Sequence, residues 1–151
     1  MERDDRPIIS IDPNCTDSHN GYALMDLKTI HEIGQGRNAI REAAKNAYRI
    51  VVEGQYIPEQ KNRQGRILSL AHEAGRWLEV GNTLDIPVVY MLPSVWMALI
   101  YGKWVRPDDP ARRWTQERYF KAVYRVSLDK YTQHELDALS IGYCELLGGD
   151  K

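Results

Sequence analysis

Two short apolar runs in this chain each stop at an acid. Pro7-Ile8-Ile9-Ser10-Ile11 leads into Asp12, and Ile50-Val51-Val52 leads into Glu53. Runs of this length, rich in β-branched residues, read as core strands. A carboxylate at the end of such a strand is costly to bury unless a cation or a hydrogen-bond network meets it. Near the C-terminus, His134 and Asp137 lie three apart at the start of a helical stretch. That spacing leaves both side chains on one helix face, separated by a rise of about 4.5 Å. Two strand-end carboxylates and a His/Asp pair suggest a divalent ion as the missing partner. The arrangement requires the two strands to be parallel neighbours, with the helix facing their shared edge. Each signal has a plainer reading as well: Asp12-Pro13-Asn14 is an ordinary turn sequence, and acids are favoured in a first helical turn.

The rest of the chain supplies elements for such an edge. Gly21–Asp26 follows a polar turn as a second strand, and Lys28–Ile33 alternates polar and apolar as a third, hairpin-paired with it. Gly34 and Gly36 end the sheet signal. Arg37–Arg49 carries Ala39, Ile40, Ala43, Ala44, Ala47 and Tyr48 at helical spacing, and Ile50–Glu53 is a strand buried on both faces. After a polar loop from Gly54 to about Gln64, a helix is expected over Gly65–Val80, stopped by Gly81-Asn82. Ile86–Leu92 reads as another buried strand, and Pro93-Ser94 opens a helix to about Tyr101. A loop over Gly102–Ala111 precedes two last helices, Thr115–Leu128 and Thr132–Leu147. There is no internal repeat or linker, so residues 1–151 read as one α/β domain with a mixed sheet.

Composition excludes several classes. At 151 residues, 43% hydrophobic and 27% charged, the chain is globular in character. Two cysteines, Cys15 and Cys144, are too few for a disulfide framework or a zinc cluster. No apolar run approaches the roughly 20 residues of a membrane span, and no signal-peptide core opens the sequence, so a cytoplasmic location is expected. The net charge of -1 argues nothing about nucleic acid, but its distribution does. Tyr101–Arg125 holds Lys103, Arg106, Arg112, Arg113, Arg118, Lys121 and Arg125 against three acids, and Lys61, Arg63 and Arg66 cluster with none. Such segments suit a polyanion, or are simply solvated faces.

The order of motifs resembles one family. Ile9-Ser10-Ile11-Asp12-Pro13 followed by Gly21-Tyr22-Ala23-Leu24 looks like the opening of the RuvC-like Holliday-junction resolvases. Val51-Val52-Glu53-Gly54-Gln55-Tyr56 is similar to their second motif, a strand-ending Glu followed by an aromatic residue. His134-Glu135-Leu136-Asp137-Ala138-Leu139 resembles their terminal motif.

The resemblance covers about residues 8 to 147. It implies a ribonuclease-H-like fold with a five-stranded mixed sheet flanked by helices, a homodimer, and magnesium-dependent paired nicking of four-way DNA junctions. It further implies that Asp12, Glu53, His134 and Asp137 form the catalytic, metal-binding tetrad, for two Mg2+ per site with Mn2+ as a substitute. Tyr56 is then expected to stack on an unpaired base, and Lys61, Arg63, Arg66, Lys103, Arg106, Arg112, Arg113, Arg118 and Lys121 to contact DNA. The helix at Gly65–Val80, with small Ala71, Ala74 and Gly75 between Leu68 and Leu78, suits a dimer face or packing on its own sheet. Two departures stand out: Asn14-Cys15 replaces the family's Gly after Asp-Pro, and Pro93–Tyr101 lacks its lysine. A less selective flap or fork nuclease, a ribonuclease on hybrids, and a non-cleaving junction-binding module remain alternatives on the same scaffold.

Overall fold

The computed structural model describes residues 6–54, 61–106 and 108–148, with the segment 61–71 described by its backbone alone. Five strands form one sheet: β1 (Ile8–Asp12), β2 (Gly21–Met25), β3 (Ile30–Gln35), β4 (Ile50–Glu53) and β5 (Val88–Met91). Their order is β3-β2-β1-β4-β5, with the three consecutive strands antiparallel and β1, β4 and β5 parallel. Among the described residues five helices cover it: α1 (Arg37–Ala44), α2 (Lys61–Leu84), α3 (Pro93–Tyr101), α4 (Ala111–Tyr124) and α5 (Gln133–Gly148). The expected mixed five-stranded α/β architecture is what the chain adopts.

Strand periodicity sorts the layers. Odd-numbered Ile9 and Ile11 of β1, with Ile50 and Val52 of β4, pack toward α1 and α2 around Ile40 and Trp77. Ile8 and Val51 point the other way, into a second core with Trp96, Phe120, Leu136 and Leu139 from α3, α4 and α5. Alternation therefore sends Asp12 and Glu53 to the α3–α5 side, since each is an even step from Ile8 or Val51. The register pairs Ser10 with Val51 and Ile11 with Val52, so the next step along both strands sets the two carboxylates side by side.

Several boundaries differ from expectation, each for a local reason. The strand at Lys28–Ile33 begins later and runs on to Gln35, because Gly34 and Gln35 still pair with Tyr22 and Gly21. Helix α1 stops at Ala44 rather than Arg49: tight bonds from Asn46 N–H to Ala43 O and Ala47 N–H to Ala44 O close the turn, and Tyr48 N–H reaches Pro7 O. Helix α2 runs straight through Gly81 to Leu84. A Cβ at Gly81 would meet Val88 Cγ2 at 2.2 Å, so this glycine serves the close approach of β5 and does not stop the helix. Strand β5 is a half-exposed edge rather than a buried strand, with Tyr90 46% exposed. Helix α4 is shifted toward the N-terminus: the Asp109 carboxylate accepts the Ala111 N–H at 2.9 Å, and Arg125 turns left-handed (φ 58°) to end it.

Candidate active site

Helix α5 reaches the carboxylate edge because three features place its first turn there. Thr132 and Glu135 form a reciprocal cap, Glu135 N–H to Thr132 Oγ1 and Thr132 N–H to Glu135 Oε1, both at 3.2 Å. Thr132 also donates to Gln35 Oε1 at the end of β3 (2.8 Å). Gly21 lets the helix start lie directly on β2, since a Cβ there would fall 2.3 Å from His134 O. Farther along, Gly142 packs the same helix against Ser10 and Met25.

His134 meets Asp12 across 122 residues of sequence, Nδ1 lying 3.1 Å from Oδ2. His19, in a 3-10 turn over Asp17–His19, stacks on the His134 ring at 5.1 Å between centroids. That turn is held by buried Asn20, whose amide donates to Asn14 O, Thr16 O and Asp17 O while its oxygen accepts Asn14 N–H. Asp137, one turn along α5, is buried and satisfied from several sides. Arg112 Nη2 donates to Oδ2 at 2.7 Å, and Gln116 and Gln133 donate to Oδ1 at 2.9 and 2.8 Å. Glu53 Oε2 accepts the Trp96 indole N–H at 2.7 Å. The Arg112 guanidinium lies over that same Trp96 ring, 5.5 Å from its centroid.

The electrostatics follow. Burial, then the neighbouring Asp137 charge, pushes the Asp12 carboxyl well above its ordinary value, with Arg112 pulling against them. Asp137 is raised by burial too, against the opposing pull of Arg112, its glutamine donors and His134. The Asp137 charge thus opposes ionisation of the buried Asp12, a conflict that a cation placed beside both would relieve. The donor set, carboxylate oxygens with one imidazole, fits a hard divalent ion in kind. Among the described residues, no three His, Cys, Asp or Glu side chains already close into a metal-holding group. Each expected ligand is instead engaged by a partner of its own.

The expected basic contacts separate into groups. Arg112 is only 7% exposed and turns inward, so it joins the carboxylates instead of the basic surface where it was expected. Arg113 pairs with Glu117 (2.7 Å) and donates to the carbonyls of Asp129 and Tyr131, bracing the α4–α5 connection. Lys103, Arg106, Arg118 and Lys121 are exposed, Arg106 beside Asp108 and Arg118 over the Trp114 ring at 4.5 Å. Lys61, Arg63 and Arg66 fall on the first turns of α2, and their side chains lie outside the described residues, as does Tyr56 entirely. Trp104 and Trp114, 60% and 58% exposed beside these cations, were not anticipated. Nor were Trp96, Gln116 and Gln133. For Arg112 and Gln116 a signal existed: with Phe120 and Tyr124 they form an unbroken i, i+4 row on α4, which a helix begun at Thr115 hides.

No protein-family model matches the chain, and no curated protein matches it in sequence. Solved structures do match in shape. Thermus thermophilus RuvC in complex with a Holliday junction substrate superposes with a TM-score of 0.65 at 14% identity, over 95% of this chain and 96% of that one. A second Thermus thermophilus RuvC structure gives 0.57 at 13% identity, covering 95% of each chain. The yeast mitochondrial Holliday junction resolvase gives 0.57 at 12% identity, over 95% of this chain and 79% of that one. The chain thus has the ribonuclease-H-like fold of the RuvC-type resolvases, as its motif order leads one to expect.

Proposed function

We propose that this protein is a metal-dependent endonuclease that cuts branched DNA, four-way junctions foremost, and does so as a homodimer. The observation that supports the reading is that Asp12 and Glu53 end neighbouring parallel strands, while His134 from the first turn of α5 lies 3.1 Å from Asp12 and the Asp137 charge acts on the same carboxyl. Asp12, Glu53 and Asp137 would hold magnesium, with manganese as a substitute. The ion would supply an activated water and neutralise charge on the leaving oxygen. An Nδ1–H donated by His134 to ionised Asp12 leaves Nε2 as an acceptor, able to orient a water or take its proton. Stacking on His19 fixes the plane of that ring.

Substrate choice rests on the neighbouring surface and on the fold. Lys103, Arg106, Arg118 and Lys121 are exposed and would meet phosphates, positioning duplex arms without reading sequence. Lys61, Arg63, Arg66 and Tyr56 are proposed to extend that surface. The relative of known structure that holds a Holliday junction substrate has the same fold over nearly the whole chain, which supports a junction as substrate. A dimer through α2 is supported by Gly75 and Leu78, which face outward, whereas Ala74 packs inward on its own sheet. Among the described residues no helix is long and apolar enough to cross a membrane.

The test is purified protein on an immobile four-way junction, with and without Mg2+, with nicks mapped on every strand. Paired symmetric nicks dependent on Mg2+ are expected. Equal cutting of forks, flaps and linear duplex would point to a looser nuclease. Tight junction binding with no cleavage in Mg2+ or Mn2+ would mean a binding module.

A further inference from the structure

Helix α1 begins at Arg37 without a side-chain cap of its own, because Gly36 precedes it with φ 107°. The cap comes from across the sequence: the Asp17 carboxylate accepts the Arg37 backbone N–H at 2.8 Å. The start of α1 holds the same segment at two further points. Arg37 Nη2 donates to Cys15 O at 3.2 Å, and Gly36 N–H donates to Asn20 O at 2.9 Å. These contacts fall before, within and after the 3-10 turn Asp17–His19.

That turn has no buried residue to seat it by packing. The Asn20 side chain bonds only to Asn14, Thr16 and Asp17, so it fixes the shape of the turn. The place of the turn in the domain comes from Arg37. The guanidinium is held in turn by Glu73 of α2 as a fork, Nε to Oε1 at 2.6 Å and Nη2 to Oε2 at 2.9 Å. The Glu73 side chain is only 4% exposed, and a carboxylate so buried needs a fixed partner. Arg76, one turn along the same helix, reaches Oε1 alone at 3.2 Å. What the turn carries is His19, whose exposed ring stacks on His134 with 18° between the planes. His134 lies on Asp12.

We propose that Arg37, braced by Glu73, is a positioning residue for the candidate active site: it seats the Asp17–His19 turn so that His19 keeps the His134 ring beside Asp12. The inference rests on the reading of His134 as the group that orients a water or takes its proton. It adds to that reading two residues from the α1–α2 side of the sheet, both acting through His19. Histidine ring signals in 1H–13C NMR spectra of the full chain in chelator test the placement without calling on activity. Of the four histidines, His31 on β3, paired with Asp26, serves as the internal reference. Arg37→Lys keeps a charge for Glu73 but loses the fork that spans Glu73 and Cys15. Asp17→Ala removes the exposed cap. In each, the His19 and His134 signals should shift together while His31 stays. Arg49→Lys, which disturbs another partly buried pair, with Glu145 late in α5, should leave the His19 and His134 signals in place. On a four-way junction in Mg2+, kcat should fall about tenfold in Arg37→Lys with KM near wild type, since a displaced ring slows the chemical step and leaves DNA binding alone. Unmoved His19 and His134 signals in Arg37→Lys would overturn the proposal and leave the nuclease reading intact. So would an unchanged kcat where those signals have moved. A wild type that cuts nothing would remove the nuclease reading and this inference with it. If Arg37→Lys fails to fold, Asp17→Ala, altered at the surface, decides by the same two measurements.

Discussion

The two faces of the sheet are built on opposite principles. Against α1 and α2 the core is aliphatic and aromatic: Ile9, Ile11, Leu24, Ile40, Ile50, Val52 and Trp77. Its main polar device sits at one side, where Arg37 grips the buried carboxylate of Glu73 at 2.6 and 2.9 Å. Against α3, α4 and α5 the core has an equally apolar floor, but a polar seam runs through it. Ser140 donates to Leu136 O, Gln116 joins Ser140 to Asp137, and Arg112 and Asp12 complete the line. Burying charges costs several kcal/mol per ion before any pairing returns it, and apolar side chains of equal volume often do better. The seam is therefore not what stabilises this domain best. One face holds the fold, and the other gives up stability to hold charge in a fixed place.

The sharpest way to break that contrast is to change one residue on each face. Asp12→Asn should lower metal-dependent cleavage by about 10³-fold or more, close to 4 kcal/mol of barrier, without lowering the melting temperature of the metal-free protein. Trp77→Ala should do the reverse. Removing the largest fully buried side chain of the α1–α2 core should cost about 3–5 kcal/mol of stability, while cleavage per folded molecule stays near wild type. Denaturant melts alongside junction cleavage read both. A large loss of activity from Trp77→Ala at a temperature where it remains folded would mean the two faces are not separable.

What could be read in the sequence follows the same division. Asp12 and Glu53 were legible because a charge ending a β-branched run contradicts its surroundings, and strand alternation then fixes their side of the sheet. His134 and Asp137 were legible as a pair because helical spacing is local. The partners Arg112, Gln116 and Trp96 were not, because each meets its carboxylate through tertiary packing: Arg112 lies 25 residues from Asp137, and Trp96 lies 43 from Glu53. An arginine in a basic segment looks like a surface residue until the helix start is known. Setting that start at Ala111 rather than Thr115 places Arg112 on the buried row with Gln116, Phe120 and Tyr124. Glycines misled for a related reason, since Gly81 reads as a stop signal yet sits mid-helix to let a strand pass.

Gly21 tests whether the seam is positioned by close contact. A methyl group there has no room against His134 O, and backbone on both sides leaves nothing flexible to yield. Gly21→Ala should cost about 1–3 kcal/mol of stability and should displace the first turn of α5 from Asp12. Cleavage should then fall further than the stability loss explains, measured where the variant is still fully folded. A variant that is destabilised yet cuts normally would show that His134 need not be held this closely.

The smallest effect concerns protons. In the metal-free chain, burial and the Asp137 charge raise the Asp12 carboxyl above its unfolded value. The folded state then holds a proton that the unfolded chain releases, so stability falls as pH rises through the interval between the two values. The contribution is fully present below the unfolded value near 3.8 and is lost once pH passes the raised one. Asp12→Asn has no proton to lose. In chelator, its melting temperature should gain on wild type as pH is raised from acid toward neutral, and adding Mg2+ should restore the wild type alone. Parallel melting curves for the two proteins across that range would mean that the Asp12 charge is met by a partner within the fold, and that the polar seam carries no unbalanced charge for a metal to answer.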